Sequence, residues 1–171
     1  MADPGVAFCD GAADLTRALA ALLPYPLAVV GIGNPLRGDD GFGPAVISAL
    51  RPSDRLHLFD VQGVPESFLV PIVESGCGGV LFVDAADLGA EAGRVAVVPA
   101  GRLSEVTPST HAVALSLVAE AVAGMARESR GCEVVCVLVG AQPSAMDEAD
   151  RLSPAIEQAV RRVSEGIQAL A

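Results

Sequence analysis

The sequence predicts a three-layer α/β/α sandwich built on a mostly parallel, mixed five-stranded sheet. Short, nearly continuous apolar runs alternate with segments whose apolar residues recur at helical spacing, as expected of strands covered on both faces and joined by helices. One run, Arg94 to Val98, follows its predecessor after only a polar, glycine-containing loop, too short for a helical crossover. That strand is therefore expected to run antiparallel, which makes the sheet mixed. The chain has 171 residues, 51% of them apolar, with a mean hydropathy of +0.49, enough for one domain with a sizeable core.

Taken in order, residues 1–12 are small and polar with no periodicity, whereas Leu15, Leu19, Leu22 and Leu23 repeat at helical spacing until Pro24. Residues 1–25 are read as an N-terminal extension with a short helix, and 26–171 as a single α/β domain. Strands are expected at Leu27 to Ile32, Leu56 to Asp60, Gly79 to Asp84, Arg94 to Val98 and Glu133 to Val139. Helices are expected at Pro44 to Leu50, Glu66 to Glu74, Ala112 to Met125 and Pro154 to Leu170. In the last of these Ile156, Val160, Val163, Ile167 and Leu170 form one stripe, with Ser153 at the N-cap and Pro154 at the first helical position. Leu115, Val118, Val122 and Met125 make a similar stripe that should face the sheet.

The charge balance excludes several partners. The net charge is −10, the isoelectric point is about 4.5, and every basic residue is arginine, so no basic stripe exists to neutralise phosphates. Nucleic acid and anionic membrane are poor partners. The apolar stretch from Leu15 to Gly33 is broken by Arg17, Pro24 and Pro26 and preceded by Asp3 and Asp10, which argues against a membrane span or signal peptide. Cys132 and Cys136 would lie about 13 Å apart along a strand, beyond disulfide reach. Together with Cys9 and Cys77 they read as free thiols of a cytoplasmic protein.

In open α/β sheets ligands bind beyond the carboxyl ends of the strands, and three such places carry unusual side chains. The segment Gly31-Ile-Gly-Asn-Pro-Leu-Arg-Gly-Asp-Asp-Gly-Phe-Gly43 superficially resembles a dinucleotide fingerprint, but Leu36 occupies the third glycine position and two carboxylates stand where pyrophosphate would sit. Ionised carboxylates at a helix N-terminus suit a cation. Asp39 is assigned to capping and loop support and Asp40 to function; the competing reading makes both simple N-caps. Asp84 ends the run Val80-Leu-Phe-Val-Asp, where a buried carboxylate needs a partner or a metal, unless it is a solvated strand end. His111 opens a helix whose dipole disfavours the imidazolium, leaving the neutral ring that a metal requires; the bland alternative is a surface or capping histidine. His57 reads as structural. Two carboxylates and one imidazole would suit a borderline divalent ion such as zinc or nickel, whereas no GxSxG elbow supports a serine triad.

The motif Gly31 to Gly43, Val83-Asp-Ala85, Thr110-His111 and Gly140-Ala-Gln-Pro143, in this order and spacing, resembles the hydrogenase maturation endopeptidases from about Leu27 onward. The resemblance implies an α/β fold with a mixed, twisted sheet. It further implies removal of a short C-terminal extension from a nickel-iron hydrogenase large-subunit precursor once nickel has been inserted. The family's nickel contacts and catalytic positions fall, residue by residue, on Asp40, Asp84 and His111. Nickel is then carried by the precursor as a recognition signal, with a weakly held divalent metal as the further expectation. The chain departs from the family in its first 25 residues and in Asp60-Val-Gln-Gly63, where many relatives have an aspartate followed by glycines. A cytoplasmic endopeptidase is the leading expectation. The alternatives are a non-cleaving nickel-sensing chaperone or binding protein for the same large subunit, and a structural domain in which the three residues never meet.

Overall fold

The apolar runs are continuous because their alternate residues enter two different cores. Leu27, Val29, Leu81, Val83, Val137 and Val139 pack to one side of the sheet, and Ala28, Val30, Val80, Phe82 and Leu138 to the other, as the period of two along a strand requires. The computed structural model describes residues 5–106, 110–144 and 150–171, with the backbone alone at positions 106, 110 and 111.

The strands are β1 (Ala7–Cys9), β2 (Leu27–Ile32), β3 (Leu56–Gln62), β4 (Gly79–Ala85), β5 (Val95–Pro99) and β6 (Val135–Ala141). Their order across the sheet is β1-β5-β6-β4-β2-β3. β2 pairs in parallel with β3 and β4, and β4 with β6, while β5 is antiparallel to β6 and β1. The expected reversal of β5 is present, but the strand lies beyond β6 and does not pair with β4.

The helices are α1 (Ala12–Leu22), α2 (Phe42–Ala49), α3 (Leu69–Glu74), α4 (Leu103–Val106), α5 (Thr110–Arg130) and α6 (Pro154–Gln168). Leu15 and Leu19 of α1, Val46 of α2 and Ile156, Val163 and Ile167 of α6 cover one face. Ile72 of α3, Leu103 of α4 and Leu115, Val118 and Val122 of α5 cover the other. The α6 terminus is built as its sequence implies: Ser153 Oγ accepts the Ile156 N–H at 3.4 Å and Pro154 follows at the first position, where its missing N–H costs nothing.

The sheet has six strands rather than five. The additional strand, β1, is only three residues long, too short to show an alternating pattern, and exists because β5 offers it a ladder from Ala7↔Val97 to Cys9↔Val95. The Arg94 guanidinium lies over the Phe8 ring, 5.3 Å from its centroid, and bonds Asp10 at 2.6 Å. α1 then lies on α6, with Thr16 Oγ donating to the Gly166 carbonyl at 2.9 Å. The segment expected at Glu66 to Glu74 is a 3-10 turn (Pro65–Phe68) leading into α3. α5 runs to Arg130, past its expected end at Met125, because the Arg130 guanidinium binds the carbonyls of Val73, Gly76 and Cys77. Among the described residues no helix is long and apolar enough to cross a membrane.

Candidate active site

The start of α2 is wedged between the carboxyl ends of β2 and β4, and glycine makes that approach possible. A Cβ at Gly43 would stand 2.2 Å from the Ile32 carbonyl oxygen and 2.4 Å from that of Val83. Gly33, at φ +130°, has the Asp40 carbonyl oxygen where its Cβ would be, a conformation and a contact open to glycine alone. The glycines that superficially resemble a dinucleotide fingerprint therefore serve close packing, and they place Asp39 and Asp40 on a 3-10 turn (Gly38–Gly41) at the sheet's edge of chemistry.

The two neighbouring aspartates part company there. Asp39 is 1% exposed; its carboxylate accepts the N–H groups of Ser144 and Ser153 at 2.7 Å each and the Ser153 hydroxyl at 2.9 Å. It ties the β2–α2 loop to the loop that follows β6 and to the N-cap of α6. Asp40 is also buried, at 6% exposed, yet among the described residues its carboxylate accepts only the Asn34 N–H, at 3.1 Å. Neither the turn nor α2 has a side-chain cap, so the reading of both acids as N-caps does not hold. Asn34 makes the expected Asx turn, its Oδ1 accepting the Leu36 N–H at 2.9 Å.

Asp84 lies near the end of β4 and is 8% exposed. Burial raises its pKa well above the ordinary carboxylate value, and the charge of Asp40 adds to the rise; a hydrogen bond from the Ala85 backbone opposes it. Two carboxylates in a drying environment disfavour joint ionisation. Among the described residues no ion pair neutralises either of them.

Asp40 and Asp84 face one cleft of about 450 Å³. Its walls are the β2–α2 loop (Gly33, Asn34, Arg37), the turn after β3 (Gly63, Pro65, Glu66) and the first turns of α5 (Ala114, Leu115, Val118). The β3 wall is held by the Gly33 N–H, which donates to the Gln62 carbonyl at 2.9 Å; Gln62 stands at φ +50°, in the left-handed region that favours glycine. His111 is the second residue of α5. Helical spacing sets position 111 on the same face as 114, 115 and 118; its side chain, like residues 107–109 ahead of it, lies outside the described residues. The described residues contain no cluster of three or more histidine, cysteine, aspartate or glutamate side chains that could hold a metal. His57 lies on β3, half-buried, and is not among the cleft's lining residues.

Sequence reasoning did not single out Arg37 and Glu66, the charged residues at the mouth of the cleft. The signal was present in their placement, each within a few residues of a strand's carboxyl end, but exposed charges in loops carry little distinction by themselves.

This arrangement, a wound α/β sheet with a carboxylate-lined cleft at the carboxyl ends of its parallel strands, is that of an α/β protein whose candidate binding site lies at the strand ends. Residues 47–169 match the family model described as hydrogenase maturation protease, and the chain belongs to that family. Asp84 and His111 fall within the matched residues and Asp40 precedes them. The crystal structure of the NiFe hydrogenase maturation protease HycI from Thermococcus kodakarensis superposes with a TM-score of 0.74 at 29% identity, covering 91% of this chain and 97% of that one. The solution structure of the endopeptidase HycI from Escherichia coli has a TM-score of 0.70 at 22% identity, covering 84% and 89%, which establishes likeness of fold. In sequence, the hydrogenase 3 maturation protease of Escherichia coli K12 is 31% identical over 88 residues, 50% of this chain and 56% of the relative. The chain thus spans about half the length of that curated relative.

Proposed function

We propose that the protein is an endopeptidase that removes the C-terminal extension of a nickel-loaded nickel-iron hydrogenase large-subunit precursor, in the cytoplasm. The observation that carries this reading is the pair Asp40 and Asp84: two buried carboxylates in one cleft, without a cationic partner among the described residues. Such a pair is costly alone and favourable around a divalent cation. The precursor's nickel supplies that cation as part of the substrate, with His111 as the third ligand from the facing helix. Oxygen and imidazole donors suit nickel within the borderline divalent ions.

Family membership supports the reaction class, and the cleft supports the geometry. Gly63, whose Cβ position is open, leaves room for a peptide backbone at the cleft wall, and the apolar wall of Leu115 and Val118 keeps water from part of the cleft. The buried thiols of Cys9 and Cys77 accord with a reducing compartment. The acidic surface favours a basic segment on the precursor, with salt weakening the encounter.

The test is the intact mass of the large-subunit precursor, nickel-loaded and nickel-free, before and after incubation with the protein. Loss of one C-terminal peptide from the loaded form alone is the expected result. An unchanged mass in a verified complex would overturn the endopeptidase reading in favour of a non-cleaving nickel-sensing chaperone.

A further inference from the structure

β3 is the last strand of the sheet, paired with β2 on one side only. The Leu27 N–H donates to the Arg55 carbonyl at 2.8 Å, and the parallel register runs on from Leu27↔Leu56 to Gly31↔Asp60. In such a ladder alternate residues turn both backbone groups toward the neighbouring strand. Arg55, His57 and Phe59 therefore address β2, and Leu56, Leu58 and Asp60 turn their N–H and C=O groups outward. Leu56 is closed off by Ser53: its N–H donates to the Ser53 carbonyl at 3.2 Å and its carbonyl accepts the Ser53 N–H at 3.0 Å. Among the described residues nothing bonds the backbone N–H or C=O of Leu58 or Asp60.

The side chains here are already committed, so only the backbone rim is open. Leu58 packs against the core on one side of the sheet and Phe59 against the core on the other. The strand carries no proline or lysine, and its register is unbroken up to Asp60, so it lacks devices that commonly blunt such an edge. Its one guard is the exposed carboxylate of Asp60. The position of this rim ties it to the cleft. Three residues past Asp60, about 10 Å along a strand, Gly63 lines the cleft together with Pro65 and Glu66, and the Gly63 Cβ position is open. The sheet's other edge, the three-residue β1, stands at the opposite end of the strand order.

We infer that the outer edge of β3, at Leu58 and Asp60, takes up an extended segment of the precursor as an added strand that crosses Gly63 into the carboxylate cleft. The inference rests on the endopeptidase reading above and deepens it: the carboxylates address the nickel, and the edge aligns the chain. The free groups, one donor and one acceptor on each residue, match an extended backbone of any sequence. Charge selects the precursor over a second copy of this chain. A copy would bring a further net charge of −10 and a second Asp60 to the same edge, whereas a basic residue beside Asp60 strengthens the added pair.

The test records amide hydrogen exchange of the full-length protein by NMR, free and saturated with nickel-free precursor. Exchange at Leu58 and Asp60 should be fast in the free protein and at least about tenfold slower in the complex, while His57 and Phe59, already bonded to β2, are slow in both. Unchanged exchange at Leu58 and Asp60 in the complex would overturn the added strand. Slow exchange there in a free protein that is a dimer by light scattering would also overturn it, giving the edge to a second copy. Processing of nickel-loaded precursor by Leu58→Pro and Leu58→Ala supplies a second readout. Both variants lose the leucine packing, but only proline removes the outward N–H, and it leaves the ladder to β2 intact. Leu58→Pro should raise the half-saturating concentration about tenfold over Leu58→Ala, with the maximal rates equal; equal half-saturating concentrations would contradict the proposal. If Leu58→Pro does not fold, or if the parent releases no peptide and the endopeptidase reading fails, the exchange measurement still decides the edge.

Discussion

Asp39→Ala and Asp40→Asn should have opposite consequences although the residues are adjacent. Among the described residues Asp39 accepts the Ser144 N–H, the Ser153 N–H and the Ser153 hydroxyl, at 2.7, 2.7 and 2.9 Å, at a site 1% exposed. Bonds to an ionised acceptor contribute about 1.5–3 kcal/mol each, and the donors stranded by truncation add a desolvation cost. Because the three share one carboxylate and one loop they do not add fully, and a loss of about 3–5 kcal/mol is expected. For a chain of this length each kcal/mol moves the melting temperature by about 2–4 °C, so Asp39→Ala should melt roughly 10 °C lower. Asp40 accepts one bond, from the Asn34 N–H, which an asparagine oxygen can keep, and its charge only burdens Asp84. Asp40→Asn should melt within about 2 °C of the parent and fail to process precursor. Differential scanning calorimetry on both variants decides it. An Asp39→Ala variant as stable as the parent, or an Asp40→Asn variant that falls as far, would refute the division of labour.

Other consequences follow from single contacts. Asp84→Asn should stabilise the metal-free protein by roughly 1 kcal/mol at neutral pH while abolishing processing. The raised pKa means that the folded state binds more protons than the unfolded one, so parent stability falls as pH rises from the ordinary carboxylate range, near 3.8, through the raised folded value; urea melts across that window should show the fall in the parent and a smaller one in the variant. Gly43→Ala should cost about 3 kcal/mol or more, since its Cβ would meet the Ile32 and Val83 carbonyl oxygens at 2.2 and 2.4 Å, and a soluble variant with parent-like denaturant midpoint would contradict the close-approach argument. Ser153→Ala removes both the α6 cap and one partner of Asp39; a loss of about 1–2 kcal/mol is expected by urea titration.

The residues most easily read were those under one dominant physical demand. β2 coincides with its expected run, Leu27 to Ile32, because a strand buried on both faces has no polar residue to blur its edges. α6 announced itself by Ser153, Pro154 and a regular apolar stripe. β1 was illegible because three residues hold no period and their pairing partner, β5, lies nearly ninety residues on. β3 overruns its expected end by two residues, to Gln62, through the register shift opposite Ile32, which no local pattern records. At the site, the strand-end rule led to Asp40 and Asp84, and the structure brings both to one cleft. What Asp39 does was set by Ser144 and Ser153, over a hundred residues away, and such long-range partners leave no trace in the neighbouring sequence.

The central claim is that the paired carboxylates read the metal of the precursor. Its most direct test is the ratio of dissociation constants for nickel-free and nickel-loaded precursor, measured with the parent protein and with Asp84→Asn. A strong preference for the loaded form in the parent is expected to collapse toward unity in the variant, with nickel-free binding little changed. A preference that survives intact in Asp84→Asn would contradict it.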